Sequence, residues 1–527
     1  MYMKNKGLLL LLISPLVVSC SGNNALEFIP FSSFVPASNL NLDEDTEMYY
    51  RHSEVTPLHT LKGDYTDYKQ FLINSLDNRT HAHMDNKGED RMLVIPVAFT
   101  DSGTDAQLKE HYIYIENAFF GDPSMTKGES VTSFYNRSSY GNIKITGKVA
   151  PWYKLDIASN EWKKKGSSNT DASRRITLEA VKYLKDNHII NFDDYDKNQD
   201  GYIDSVYMVY DHPYSDSNSD SEFFWAYTDF INKNEFGLNN SAPYVNAYCW
   251  SSSYFCIAKN NKSDASTYIH ETGHLLGLED YYNTGSRNQG HHFQPTGFFD
   301  LMDSNQGDHT VFSKYLLNLS SPKVLKSKVN GKITLRDFSA SGDYLLLPLD
   351  DKYQDNPFGE YLLLEYFTPR GLNKPNGVKY QERDIAGNPI TFEFPNVFGL
   401  KVYHVDARLA YYEKKTIPTK TRLCYIDDPK AEQIVSEKGI NNILVNFATD
   451  NSILDKDVGV VNPLYHLLEA SGNNTFKDGK LATNATLFKY GDTFGINTFQ
   501  ELSTRAGYTF KVVETGTKKV NIEFTAK

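Results

Sequence analysis

His270 and His274 stand four residues apart, and Glu271 directly follows the first. On an α-helix that spacing puts both imidazoles on one face, about one turn apart. Gly277 comes next, the residue type that most readily takes the left-handed conformation that ends a helix and reverses the chain. Asp280 follows three residues later. These residues demand a helix of limited length, a tight reversal and a returning carboxylate. Leu275, Leu276 and Leu278 surround the reversal, so the helix end is expected to pack into a core.

The chemistry follows from that geometry. Two imidazoles so placed share a zinc ion, and Asp280 is the expected third ligand. The Glu271 carboxylate would reach the open side of the metal, where it takes a proton from a water attacking a carbonyl. His-Glu-x-x-His is a metalloprotease signature with a mechanism behind each residue. Alone, such a match falls in roughly 1 of 50 chains this long; requiring Gly277 and Asp280 as well lowers that to about 1 in 10,000. The longer spacing therefore outweighs the bland alternative, a surface helix with two unrelated histidines. Glu279 adds a second carboxylate beside Asp280 and is a minor rival for the third position.

Downstream, Phe298-Phe299-Asp300-Leu301-Met302-Asp303 places a methionine at a sensible distance after the third ligand. With the H-E-x-x-H-x-x-G-x-x-D spacing, this resembles the peptidase M6 family, the metzincin-like proteases of the immune inhibitor A type. Val94-Ile95-Pro96-Val97-Ala98-Phe99-Thr100-Asp101 resembles the family's first strand. Ser139-Tyr140-Gly141 and Ile145-Thr146-Gly147 resemble its second block, and the segment 398–406 resembles a later one. The likeness spans about 90–410, and more weakly reaches about 495. It implies one catalytic Zn2+ on His270, His274 and Asp280, Glu271 as general base, and Met302 as a supporting methionine. The chain departs from the family at Glu279, where Pro is frequent. It also has Ser304 where some metzincins carry a tyrosine that stabilises the oxyanion. That role stays open among Tyr282, His309 and Tyr315.

A second metal site is expected in 196–204. Asp196, Asn198, Asp200, Tyr202 (through its carbonyl) and Asp204 occupy the first nine positions of a calcium loop, with Gly201 at the sharp turn. Tyr207 stands where an EF-hand has its Glu, so a truncated, dockerin-like loop with a structural Ca2+ is expected rather than a complete EF-hand. The alternative is a solvated acidic turn.

At 527 residues the chain exceeds one ordinary core. Residues 1–20 read as a signal peptide, with Lys4 and Lys6 before an apolar run too short to span a membrane. Val17-Val18-Ser19-Cys20 resembles a bacterial lipobox, which would make Cys20 the lipidated N-terminus of an extracytoplasmic lipoprotein. A plain secretory signal is the other reading. Residues 21–87 read as a tether or pro-segment. Residues 88–325 are expected to form an α+β, metzincin-like zinc protease catalytic domain, and 326–527 a β-rich C-terminal region. Strands are expected over 92–99, 142–149 and 202–210, and helices over 107–120, from 130, and over 172–187. Pro96 is a blemish in the first strand.

A net charge of −12 argues against a nucleic-acid partner. Cys249 and Cys256 would close a small loop if paired, leaving Cys424; the sequence leaves that pairing open. No cysteine lies between Cys20 and Cys249, which excludes a cysteine-switch segment there. His291 and His292 read as exposed loop residues, and His404 as a packed or hydrogen-bonded strand residue. The sequence thus leads to a secreted, lipid-anchored zinc metalloendopeptidase, monomeric, acting on extracellular proteins or peptides. Its rival from another class is a surface-binding lipoprotein, an adhesin or ligand-capture protein on a protease-derived scaffold.

Overall fold

The computed structural model describes residues 84–215 (except 167), 223–257, 262–282 (except 279), 295–325 (except 318), 330–349, 360–374, 389–406 and 465–527. It also gives the backbone pairing of short strands at 49–50, 379–383, 410–412, 423–425 and 443–444. Cys20, Glu279, His291, His292 and the side chain of Cys424 lie outside the described residues.

The first sheet is built on β1 (Gly88–Ala98). Its other strands are β2 (Ile143–Val149), β3 (Tyr153–Lys154), β4 (Val206–Tyr210), β5 (Tyr227–Phe230) and β6 (Ala247–Ser252). The order is β2-β1-β4-β6-β5, with β3 continuing beside β1 where β2 ends. All pairings are parallel except that of β5, which lies antiparallel to β6 and forms an edge.

Central strands of such a sheet are buried on both faces, which explains their unbroken apolar runs. Within β4, Tyr207 and Val209 enter one core cluster, while Val206, Met208 and Tyr210 enter the other. On the first face lie α1 (Asp105–Phe120), started by a capping box at Thr104, and α2 (Val131–Ser138), started by another at Ser130. On the second lies α3 (Asn169–Asp186).

Pro96 fits for a local reason. The Leu93 N–H donates toward β4, to Ser205 O, while Val94 O accepts from Ala150 beyond the end of β2. Directions alternate along a strand, so the Pro96 nitrogen faces the gap between Val149 and Tyr153, where β2 has stopped and β3 has not begun. The missing donor breaks no ladder bond there.

The strand expected from Tyr202 starts only at Val206. The preceding residues belong to the acidic loop: Ile203 N–H donates to Tyr244 O, Asp204 N–H to Tyr195 O, and the Asp204 carboxylate accepts Lys197 N–H.

Beyond residue 322 the chain turns to β-structure. Its strands are β7 (Lys323–Val324), β8 (Gly331–Arg336), β9 (Tyr344–Pro348), β10 (Glu360–Phe367), β11 (Gly399–Asp406), β12 (Tyr465–Leu467), β13 (Thr493–Phe494), β14 (Tyr508–Thr515) and β15 (Lys519–Ala526). One sheet runs β7-β9-β10-β11-β12, with strand Tyr49–Tyr50 beside β7; a four-stranded sheet runs β13-β14-β15-β8. Alternation along the strands divides their side chains between two neighbours. Leu345, Leu347, Leu362, Leu364, Leu400 and Val402 pack with the four-stranded sheet. Tyr344, Leu346, Tyr361, Leu363, Tyr403 and Val405 join the core that also holds Leu275, Leu276 and Met302. The mixed α/β layout followed by a β-rich region is thus the architecture expected from the sequence. Among the described residues no helix is long and apolar enough to cross a membrane.

Candidate metal centre

Helix α4 (Ser266–Leu275) carries His270, Glu271 and His274. Gly277 takes a φ of 93°, and the reversal is closed by Gly277 N–H to His274 O and Leu278 N–H to Gly273 O. The chain then returns Asp280 to the helix. Its Oδ1 lies 3.0 Å from His270 Nε2 and 3.5 Å from His274 Nε2. Among the described residues, this is the one group of three His, Cys, Asp or Glu ligand atoms lying within 4.8 Å of one another.

The far side of each ring is held. His270 Nδ1 lies 3.1 Å from Leu301 O, and His274 Nδ1 lies 2.7 Å from Leu278 O. Carbonyls accept only, so both Nδ1 atoms carry a proton and both Nε2 atoms are turned to Asp280. Burial alone would raise the Asp280 carboxyl, but His274 and His270 outweigh it and hold it well below the usual range. Burial opposes a charge on His274 too, yet Asp280 holds its imidazole up to about 10. The cluster therefore attracts positive charge. Two imidazole nitrogens and a carboxylate oxygen, each ring backed by a carbonyl, form a donor set that fits zinc.

Glu271 is buried beside this group. Burial pushes its carboxyl up, with His274 and His270 opposing. Thr228, on edge strand β5, donates to Glu271 Oε2 (3.2 Å). Cys249, on β6, donates to the backbone oxygen of Glu271 (3.3 Å) and lies 3.2 Å from Thr228 Oγ1. Cys249 and Cys256 are both free and buried, so the small disulfide loop is not formed.

Met302 lies beneath α4, on the short helix α5 (Leu301–Ser304), whose first turn is capped by Asp300 (2.8 Å to Met302 N). Met302 O accepts the N–H of Tyr281, next to Asp280. Tyr135, from α2, donates to Ile269 O (2.7 Å) and contacts His309 Nε2 (3.3 Å). Two residues considered for the oxyanion role are misplaced for it. His309 is enclosed below α4, where burial keeps its imidazole neutral, and Tyr315 is fully buried against Tyr344 and Tyr361. Tyr282 alone of the three is partly exposed.

In the acidic loop, Gln199 and Gly201 are left-handed, and Asp196, Asn198 and Asp200 accept the N–H groups of Gly201, Asp200 and Tyr202. Asp196, Asp200 and Asp204 do not gather within 4.8 Å as the histidine–aspartate group does. Even so, one buried oxygen on each of Asp90, Asp196 and Asp204 has no hydrogen-bond partner. Burial, reinforced by Asp90, Asp85 and Asp196, pushes the Asp204 carboxyl up to about 8. His404 is hydrogen-bonded as expected, 2.9 Å from Glu360 Oε1.

A mixed α/β sheet that backs a buried His270–Glu271 pair and the half-buried His274 and Asp280 has the layout of a metal-dependent hydrolase site. The sequence comparison makes the class specific: residues 78–322 match the family model of the immune inhibitor A peptidase M6, catalytic domain. Over these residues the chain carries a domain similar to the M6 peptidases, whose substrates are proteins or peptides. No curated protein matches the chain.

Proposed function

We propose that the chain is a zinc-dependent endopeptidase acting on extracellular proteins or peptides. The observation that carries this reading is the convergence of His270 Nε2, His274 Nε2 and Asp280 Oδ1 beside the Glu271 carboxylate. Zinc held by those three atoms would supply Lewis acidity to the scissile carbonyl and to a water. Glu271 takes the proton of the attacking water and returns it to the leaving amine. Its burial raises its proton affinity, which suits a group that must keep a proton between two steps. Thr228 fixes the carboxylate in place, and Met302 supports α4 from below.

The test combines metal analysis with activity. One zinc per chain and casein cleavage abolished by a chelator and by Glu271→Ala are expected. Undiminished proteolysis in that variant sinks the mechanism.

Two further features complete the proposal. The segment Val17-Val18-Ser19-Cys20 supports a lipoprotein held at a bacterial membrane surface through Cys20, which we read as a monomer. Cys20→Ala should then move the protein from the membrane fraction to the soluble one. The spacing of 196–204, with the partnerless buried oxygens of Asp196 and Asp204, supports a structural calcium ion held by Asp196, Asn198, Asp200, Tyr202 and Asp204.

A further inference from the structure

Lys401 and Glu365 sit opposite each other on β11 and β10. Both point to the sheet face that is otherwise lined by Tyr361, Leu363, Tyr403 and Val405 and meets the core around α4. Their charged ends are 3.3 Å apart, and each side chain is only 4% exposed. A buried ion pair is weak evidence for stability, because desolvation offsets the attraction. Its position calls for another reason.

That reason lies in what the two ends touch. Glu365 Oε2 accepts the N–H of Val311 (2.7 Å), at the start of the helix Val311–Leu316. Lys401 Nζ donates to Phe299 O (3.2 Å) and lies 3.7 Å from the centre of the Phe299 ring. Phe299 directly precedes Asp300, whose carboxylate accepts both Met302 N–H and Thr310 Oγ1–H. Two residues after Phe299 comes Leu301, whose carbonyl holds His270 Nδ1. Only the turn 299–301 separates the Lys401 ammonium from a proposed metal-binding imidazole.

We propose that Lys401, anchored by Glu365, is a positioning residue for the metal centre. It fixes the turn 299–302 so that Leu301 O orients His270 and Met302 fills the space under α4. The inference rests on the zinc reading above and adds to it a part for the β-rich region in shaping the site. An ammonium suits the place: it serves the Phe299 carbonyl and the Glu365 carboxylate at once, which a neutral side chain would not.

The experiment uses the full chain and the double variant Lys401→Met/Glu365→Gln. This variant removes both charges, while the new amide oxygen still accepts Val311 N–H. Zinc affinity is read by chelator competition, site geometry by the visible spectrum of the cobalt-substituted protein, and kcat and KM on a fluorogenic peptide. The variant is expected to bind zinc about 10–100-fold more weakly, the loss typical for an outer-shell partner. Its cobalt spectrum should shift, and kcat should fall more than KM changes. Wild-type zinc affinity with an unshifted cobalt spectrum overturns the proposal. If the double variant does not fold, Glu365→Gln alone decides, since it leaves Lys401 in place without its anchor. A severalfold weaker zinc affinity there supports the proposal, and unchanged affinity overturns it. A wild-type protein that takes up no zinc overturns the metal reading and this inference together.

Discussion

The sulfur of Met302 occupies the space that a side chain at Gly273 would need: a Cβ there would lie 2.7 Å from Met302 Sδ and 3.1 Å from Cε. Gly273→Ala sets two effects against each other. Alanine favours a helix over glycine by about 1 kcal/mol. Overpacking a full core costs about 1–3 kcal/mol. Met302 is completely buried, so its flexible end can make room only by moving within the core. We expect a net loss of up to about 2 kcal/mol in chemical denaturation, with reduced peptidase activity. A variant as stable as wild type would show that Met302 yields without cost.

The third ligand is open to direct test. Asp280→Asn should weaken zinc binding by more than the about 10–100-fold that loss of an outer-shell partner costs. Glu279→Gln should leave affinity near wild type. The reverse outcome, read by chelator competition, would transfer the role to Glu279.

Thr228 offers a finer probe of Glu271. Thr228→Val keeps the shape of the side chain and removes the donor to Oε2. A net hydrogen bond of about 1.4 kcal/mol corresponds to roughly a tenfold loss in kcat/KM. Zinc content should not change, and Thr228→Ser should restore most of the rate. Equal activity in the valine variant would remove Thr228 from the mechanism.

The acidic loop makes a prediction with a definite sign. Burial raises the Asp204 carboxyl to about 8 and the Asp90 carboxyl to about 7, whereas an unfolded Asp titrates near about 3.9. The folded chain keeps protons that the unfolded chain has released, so these groups lower stability progressively as pH rises from about 4 to about 8. Buried His466, pushed down to about 3, acts in the opposite sense and only below about pH 6.5. From about pH 6.5 to 8 the two carboxyls pull stability down, while Lys323 and Lys185, which burial pushes down to about 7 and about 8, act in the opposite sense. Asp204→Asn should remove part of the fall and leave the calcium-free protein relatively more stable toward about pH 8 than wild type. Added calcium should raise Tm most at the alkaline end. A Tm indifferent to calcium near pH 8 would count against the calcium reading.

What the sequence revealed was local in the chain. Residues 270–280 form one helix end and one reversal, so eleven consecutive residues contain the spacing, the turn glycine and the returning Asp280. The partners of that group are not local. Thr228 comes from an edge strand 43 residues earlier, and Tyr135 from a helix further back still. Lys401 reaches the turn from another sheet. No periodicity marks such residues, because tertiary contacts select them. Burial misled in the same way: His309 and Tyr315 had suitable chemistry for the oxyanion but are enclosed in the core. Strand β4 starts later than its residue pattern suggests, because Asp204 binds backwards to the loop instead of continuing the strand.

The six-stranded sheet has no outer face of its own. It is a party wall: Leu345, Leu362 and Val402 furnish the room on one side, and Leu346, Tyr361 and Tyr403 the room on the other. A fragment stopped at residue 325 would leave the peptidase side standing with one wall removed. Phe299 would then lose the ring of Phe367 and Tyr315 those of Tyr344 and Tyr361, and the turn 299–302 would lose its brace. In practical terms, we expect the minimal folded unit to be longer than the stretch 78–322 that matches the peptidase family, and a protein trimmed to that stretch should aggregate.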